Sequence, residues 1–236
     1  MSRRLVNLTL DTLADLPQPC RGCVFWELDP ATAQRVCATG DPGLEKEAWL
    51  SETLLEWGSC GQLVYVDDIL AGFVIYAPPH HLPGSYAFPT APPSPDAVLL
   101  TTAYVRPDLA GGGLGRMLMQ GAARDLARRG VHAIEAFGDA RPGEPDWSVA
   151  TGPLAERACV APADYFRAVG FTTVSPHPRY PRLRLELRTA VSWRTELEAA
   201  VNRWLTAWGS SPLRGPALLP TARVSAPPPP GGLAGC

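Results

Sequence analysis

The sequence predicts an α/β domain, and three observations carry that expectation. An apolar run, Ala97–Val105, reads as a buried strand. A glycine-rich turn follows, and helical spacing then runs through Met117, Leu118, Ala122 and Leu126 to Gly130, a residue suited to a helix C-terminus. Val131–Phe137 forms the next strand, so strand, helix and strand make a crossover unit whose hand should be right-handed.

The flanking elements are read in chain order. Leu5–Leu10 is a short strand, and Asp11 caps a helical turn before Pro17. Cys20-Arg-Gly-Cys23 is a compact C-x-x-C followed by Val24-Phe-Trp-Glu27. Asp41-Pro-Gly leads into an amphipathic helix over Leu44–Trp57, where Trp49, Leu50, Thr53, Leu54 and Trp57 share a face and Gly58 ends it. Gln62–Val66 and Ala71–Ala77 pair as a hairpin about Asp67-Asp68. Pro78–Pro95 is a long proline-rich loop carrying His80, His81, Tyr86 and Phe88, and Gly138–Ala161 is a second irregular stretch. Pro162–Val169 is a short helix, with strands at Phe171–Val174 and Arg182–Arg188. Trp193, Leu197, Trp204 and Trp208 keep helical spacing from Ser192. From Gly209 the chain is Pro- and Gly-rich and buries too little apolar area to offset its ordering entropy, so it should be disordered. Four regions follow: an N-terminal segment (1–60), a core (61–190), a C-terminal amphipathic helix (191–208) and a tail (209–236).

Composition narrows the class of protein. Of 236 residues, 46% are hydrophobic and 19% charged, enough to build a sizeable core. A net charge of −2 gives no electrostatic reason to expect nucleic acid or an anionic membrane as partner. No apolar run approaches the roughly 18 residues of a membrane span. Met-Ser-Arg-Arg-Leu-Val-Asn7 lacks the apolar stretch of a signal peptide. A cytoplasmic location is expected.

The central turn has the makings of an anion site. The first N–H groups of a helix have no internal acceptor, and the helix dipole adds positive potential there. Glycines allow a phosphate to approach that backbone. No Gly-Lys-Ser/Thr ends the turn, so it is not a P-loop, and Gly111-Gly-Gly113 with Gly115 fits dinucleotide-binding spacing poorly. The segment Val105-Arg-Pro-Asp-Leu-Ala-Gly-Gly-Gly-Leu-Gly115 resembles the acetyl-CoA loop of the GNAT superfamily of N-acetyltransferases, Arg/Gln-x-x-Gly-x-Gly/Ala after a Val-x-Pro strand end. Gly113 and Gly115 take its two small positions, while Ala110 stands where the family usually has Arg or Gln. Tyr165-Phe-Arg-Ala-Val-Gly-Phe171 is similar to a second signature of that family, an aromatic pair before Gly-Phe.

The resemblance implies a mixed, mostly antiparallel central sheet flanked by helices, with splayed central strands that bind coenzyme A. It implies that the pantetheine arm pairs with the backbone of Ala103, Tyr104 and Val105, and that the diphosphate rests on Ala110, Gly111, Gly112, Gly113, Leu114, Gly115 and Arg116. Phe166 is then expected beside the cofactor, and the two irregular stretches are expected to border the acceptor pocket. The implied reaction moves the acetyl group of acetyl-CoA to a primary amine of a small molecule or peptide by direct attack, with no metal required. A non-catalytic acyl-CoA-binding module is the alternative, suggested by Ala110 and by Phe166 at the position where many members carry a tyrosine acid.

A lysine-like acceptor is mostly protonated at neutral pH, its free pKa being about 10.4, so a carboxylate base is sought. Glu135 is the expected base because it interrupts an apolar strand at the cleft; Asp96 and Glu27 are weaker choices. Tyr165 is the candidate acid, but it precedes the family's tyrosine position by one residue, about 100° around a helix. On that reading solvent protonates the leaving thiolate. His132 should face away from Glu135, and Arg179, Arg182 and Arg184 read as a solvated face. The six cysteines are not a disulfide framework in an intracellular chain. Cys20 and Cys23 leave three readings open: free thiols, a redox pair, or half of a zinc site completed by Cys37 and Cys60. The aromatic face of the last helix also suits a homodimer contact.

Overall fold

The computed structural model describes residues 2–18, 20–141 and 159–187. The expected helix from Ser192, the tail from Gly209 and residues 142–158 of the second irregular stretch lie outside them.

Strand β1 (Arg3–Asn7) is followed by the single-turn helix α1 (Leu10–Leu13). Its cap is Thr9, in a reciprocal capping box with Thr12, and not Asp11, which sits within the first turn. Two helices come next, each opened by an Asp-Pro pair. In α2 (Pro30–Thr39) the Asp29 carboxylate accepts from the N–H groups of Ala31 and Thr32; in α3 (Pro42–Glu56) Asp41 accepts from Gly43 and Leu44. Sequence patterning shows only α3, because α2 fully buries only Ala33 and carries no apolar stripe.

The hairpin of β2 (Gly61–Val66) and β3 (Ile69–Ala77) turns at Asp67 and Asp68, both left-handed with φ of 48° and 62°. Two positive-φ residues match the right-handed twist of the strands they join. Next come β4 (Ala97–Val105), α4 (Leu114–Arg128), β5 (Ala133–Phe137), α5 (Ala163–Ala168), β6 (Thr172–Ser175) and β7 (Arg182–Glu186). The seven strands form one sheet in the order β1-β2-β3-β4-β5-β7-β6, antiparallel except for β4 and β5. This is the mixed, mostly antiparallel sheet expected.

Each face of the sheet carries its own core. Helices α4 and α5 cover one face through Leu114, Leu118, Leu126 and Phe166 against Val74, Val98 and Ile134. On the other face Trp26, Trp49 and Leu50 pack on Leu63, Phe73, Leu99 and Phe137. The proline-rich loop joins this second core instead of standing open. Phe88 stacks on Trp26 and Phe137 with ring centroids 5.0 and 4.5 Å apart. Gly84 passes so close to the Phe25 carbonyl that a Cβ would meet it at 2.2 Å, which only glycine allows. His81, expected on an exposed loop, is buried, and Trp49 donates its indole N–H to the His81 carbonyl at 2.7 Å.

One irregularity positions the site. Strand β4 pairs with β3 as Tyr76 to Leu100 and Ile75 to Thr102, leaving Thr101 as an extra residue whose hydroxyl donates to the Ile75 carbonyl at 3.2 Å. Such a bulge bends the strand. On its other edge β4 pairs with β5 only at Ala97–Ala133, Val98–Ile134 and Leu99–Glu135, so the two strands part beyond those residues. Ala97–Thr101 are buried and Thr102–Val105 only half-buried.

Candidate active site

The opened half of β4 ends in the glycine turn. Gly111 and Gly113 hold φ of 81° and 80°, and a Cβ at either would meet nothing within 4 Å, so the outer surface of the loop is bare backbone. Gly113 is the N-cap of α4 and supplies no side-chain acceptor. Met117 N–H is bonded to the Gly113 carbonyl, and the N–H groups of Leu114, Gly115 and Arg116 belong to the unpaired first turn. Leu114 turns its side chain into the core and leaves only its backbone to the site. A diphosphate fits this cradle: it needs clustered N–H donors and free approach, and the fifteen-residue α4 adds its dipole. Ala110 offers no charge, but Arg3 of β1 donates a guanidinium hydrogen bond to the Gly112 carbonyl at 3.0 Å. Nothing in the sequence links Arg3 to a loop 109 residues away.

Two cavities meet at the parted strand. The first, about 230 Å³, lies on the α4 face between Val74, Val105, Leu118 and Tyr165. The second, about 150 Å³, lies on the opposite face between Cys20, Cys23, Trp26, Lys46, Phe73 and Cys159. Ala103, Tyr104, Ala161 and Pro162 border both. A linear molecule in the first cavity therefore presents its end to the second across the edge of β4. Ala103, Tyr104 and Val105, the residues expected at the pantetheine arm, line the first cavity.

Helix α5 corrects the reading of the aromatic pair. Phe166 is 1% exposed and packs in the core against Phe171, so it does not line either cavity. Burying Phe166 sets the phase of the short helix and brings Tyr165 to the cleft, which sequence numbering alone argued against. The Tyr165 hydroxyl stands 3.4 Å from where a Cβ at Gly115 would be, over the first turn of α4. Burial pushes its pKa up to about 12, so at neutral pH the phenol keeps its proton.

Glu135 is the second correction. Its side chain is fully buried and borders neither cavity. It accepts from Arg182 at 2.6 Å, Arg184 at 3.3 Å and the Ser94 N–H at 2.9 Å. Burial pushes the carboxyl up, but the bonds from Ser94 and the Arg182 guanidinium outweigh burial and hold it below the usual carboxylate range. A carboxylate so satisfied is a poor proton acceptor. It explains instead why Arg182 and Arg184 are not a solvated face; Arg184 also pairs with Asp96 at 2.7 Å, and Arg179 with Asp139 at 3.5 Å.

The charge that does border the second cavity is Lys46, buried and ion-paired with buried Glu27. Glu27 also accepts from the Trp26 N–H at 3.2 Å. The sequence marks Glu27 only weakly and Lys46 not at all, because a lysine on an amphipathic helix reads as solvent-facing. Cys20 and Cys23 join Cys159 at this cavity, whereas Cys37 is exposed on α2 and Cys60 lies in the core. Among the described residues no three His, Cys, Asp or Glu side chains are arranged to hold a metal ion, and no helix is long and apolar enough to cross a membrane.

Comparison with known proteins follows the same lines. The sequence profile of the Acetyltransferase (GNAT) family matches residues 23–146, more than half of the 236-residue chain. No curated protein matches in sequence. Among solved structures the chain is similar to yncA from Salmonella typhimurium, solved with its cofactor acetyl-CoA. That similarity has a TM-score of 0.50 at 13% identity over 81% of this chain and 98% of that one, and it supports the fold. It is also similar to the paia N-acetyltransferase from Thermoplasma acidophilum in complex with coenzyme A (TM-score 0.49, 11% identity, 79% and 99% covered). A third is an N-acetyltransferase from Staphylococcus aureus Mu50 (TM-score 0.47, 13% identity, 80% and 100% covered). The chain belongs to the GNAT family of acetyltransferases and is an acyltransferase.

Proposed function

We propose that the chain binds acetyl-CoA and transfers its acetyl group to a primary amine by direct attack in a ternary complex. The observation that carries this reading is the meeting of the two cavities at the opened edge of β4, beside a glycine-bared helix end. The helix end takes the diphosphate, and the backbone of Ala103–Val105 pairs with the pantetheine amides. A β4 N–H with no strand partner polarises the thioester carbonyl and stabilises the oxyanion that develops there. The amine enters from the second cavity. The Lys46 beside it is already paired with Glu27, so the described lining offers an incoming ammonium no free carboxylate, and desolvation favours the uncharged amine. The proton is released to solvent on entry, without a dedicated carboxylate. Tyr165 protonates the departing thiolate. The non-catalytic alternative loses one of its motives, since a tyrosine does reach the cleft, and the backbone cradle does not need a side chain at Ala110.

Mass spectrometry of amines and peptides incubated with the protein and acetyl-CoA tests the reaction: a mass gain of one acetyl group on an amine supports it, and hydrolysis alone across the panel defeats it. Tyr165→Phe tests the acid. It is expected to lower kcat by about 10²-fold, the lower end for a positioned acid, with KM for acetyl-CoA little changed. An unchanged kcat would return the proton to solvent.

A further inference from the structure

Three thiols border the acceptor cavity and take no part in acetyl transfer: Cys20, Cys23 and Cys159. Cys23 and Cys159 are 136 residues apart in sequence, yet their sulfurs lie 3.1 Å from each other. One stands on the wall formed by the N-terminal segment and the other on the wall that continues through Val160 to Pro162. Apart from this sulfur contact, the Trp26 indole N–H spans the same gap to the Cys159 carbonyl at 3.2 Å. The cavity between these walls, about 150 Å³, is smaller than the roughly 300–1,000 Å³ of a typical small-molecule pocket. Admitting an amine bulkier than a short alkyl chain therefore requires the walls to part.

We infer that Cys23 and Cys159 form a reversible disulfide that locks the two walls together and switches off acceptor entry under oxidising conditions. The gating half of this inference rests on the acetyl-transfer reading; the chemistry of the pair does not. Closure needs the sulfurs to move by only about 1 Å, to a bond of about 2.05 Å. The oxidant is a peroxide. The Cys23 thiolate attacks one peroxide oxygen, an S–O bond forms, the O–O bond breaks and hydroxide leaves. Cys159 sulfur then attacks the Cys23 sulfenic acid. An S–S bond forms, the S–O bond breaks, and the departing hydroxide takes the Cys159 proton as water. Two thiols lose two electrons and hydrogen peroxide becomes two waters.

The surroundings suit that division of labour. The hydrogen bond from Cys159 outweighs burial and keeps the Cys23 thiol below its ordinary value, while the same bond and burial push Cys159 up. Cys60 shows the contrast: it is fully buried outside the cavity, and burial pushes its thiol up to about 12. Cys20 sits on the same wall as Cys23, so a bond between those two would leave the walls untied, and the sulfur contact across the gap is that of Cys23 with Cys159.

The test uses the full chain, reduced and then treated with hydrogen peroxide, blocked with iodoacetamide and digested without reductant for mass spectrometry. A Cys23–Cys159 linked peptide is expected, removed by dithiothreitol. Acceptor turnover should fall at least about tenfold on oxidation, while calorimetric binding of acetyl-CoA stays within about twofold. In Cys159→Ser and in Cys23→Ser no link should form, and the ratio of oxidised to reduced turnover for each variant should stay near unity. In Cys20→Ser the link should persist. A Cys20–Cys23 link in its place, or no link in an active chain, overturns the switch. A link that leaves turnover unchanged overturns the gating. A link formed in a chain that acetylates no amine in either state defeats the acetyl-transfer reading and the gating with it.

Discussion

Replacing Gly113 by aspartate is expected to remove acetyl-CoA binding while leaving the chain folded. At φ of 80° a non-glycine residue costs about 1–2 kcal/mol, and aspartate tolerates the left-handed region better than most. A Cβ there has nothing within 4 Å, so the fold meets no clash. The carboxylate, however, stands at the mouth of the first turn of α4, where the N–H groups and the helix dipole would hold a diphosphate. It occupies those donors and repels the ligand. A loss of at least about a hundredfold in affinity is expected, about 2.8 kcal/mol at 1.4 kcal/mol per decade, read by titration calorimetry. Gly113→Ala separates the two effects, since it carries the backbone strain without the charge and should lose far less. Equal heats for wild type and Gly113→Asp would remove the loop from the binding site.

Glu135→Gln is expected to damage stability, not chemistry. Glu135 compensates the charge of Arg182 and part of that of Arg184, whose side chains are 15% and 13% exposed. Removing one partner of a buried ion pair leaves the other unpaired, at a cost of about 3–5 kcal/mol. The lower end applies here, because Arg182 keeps the Thr90 carbonyl and Ser94 hydroxyl, and Arg184 keeps Asp96 and Glu186. About 3 kcal/mol corresponds to a fall in Tm of roughly 6–12 °C in a chain of this size. Below that temperature kcat should change by no more than about threefold, whereas a general base would cost about 10²–10⁴-fold. A loss of that larger size at unchanged Tm would restore Glu135 to catalysis.

The same group gives a pH dependence of known sign. The native Glu135 carboxyl is held below its unfolded value of about 4.3. Its contribution is present above that pH and is lost as the pH falls through the lower native value. Thermal melts from pH 6 downward should show wild type losing stability faster than Glu135→Gln once the pH drops below about 4.3. Parallel curves would mean that the carboxyl does not titrate differently in the folded chain.

The difference between Gly113 and Glu135 shows where sequence reading stops. Gly113 acts through backbone conformation and the end of its own helix, both visible within a few residues of chain. Glu135 acts through Arg182 and Arg184, 47 and 49 residues away, and a lone acid in an apolar strand has the same sequence whether it serves chemistry or an ion pair. Tyr165 and Phe166 make the same point on a smaller scale. Their adjacency is evident, but which of them faces the cleft depends on which fills the core, and Phe166 fills it.

From residue order alone came the α/β class, the strand–turn–helix of β4 and α4, the hairpin at Asp67-Asp68, the parallel pairing of β4 with β5, and the glycine-bared helix end. All of these follow from periodicity, turn chemistry and short-range connection rules. The tertiary structure decided the bulge at Thr101 that opens β4, the burial of Glu135, the phase of α5, the Lys46–Glu27 pair and the approach of Cys23 to Cys159. Each of those depends on contacts between distant segments, and their energies are set by burial and mutual distance, quantities that exist only once the chain has packed.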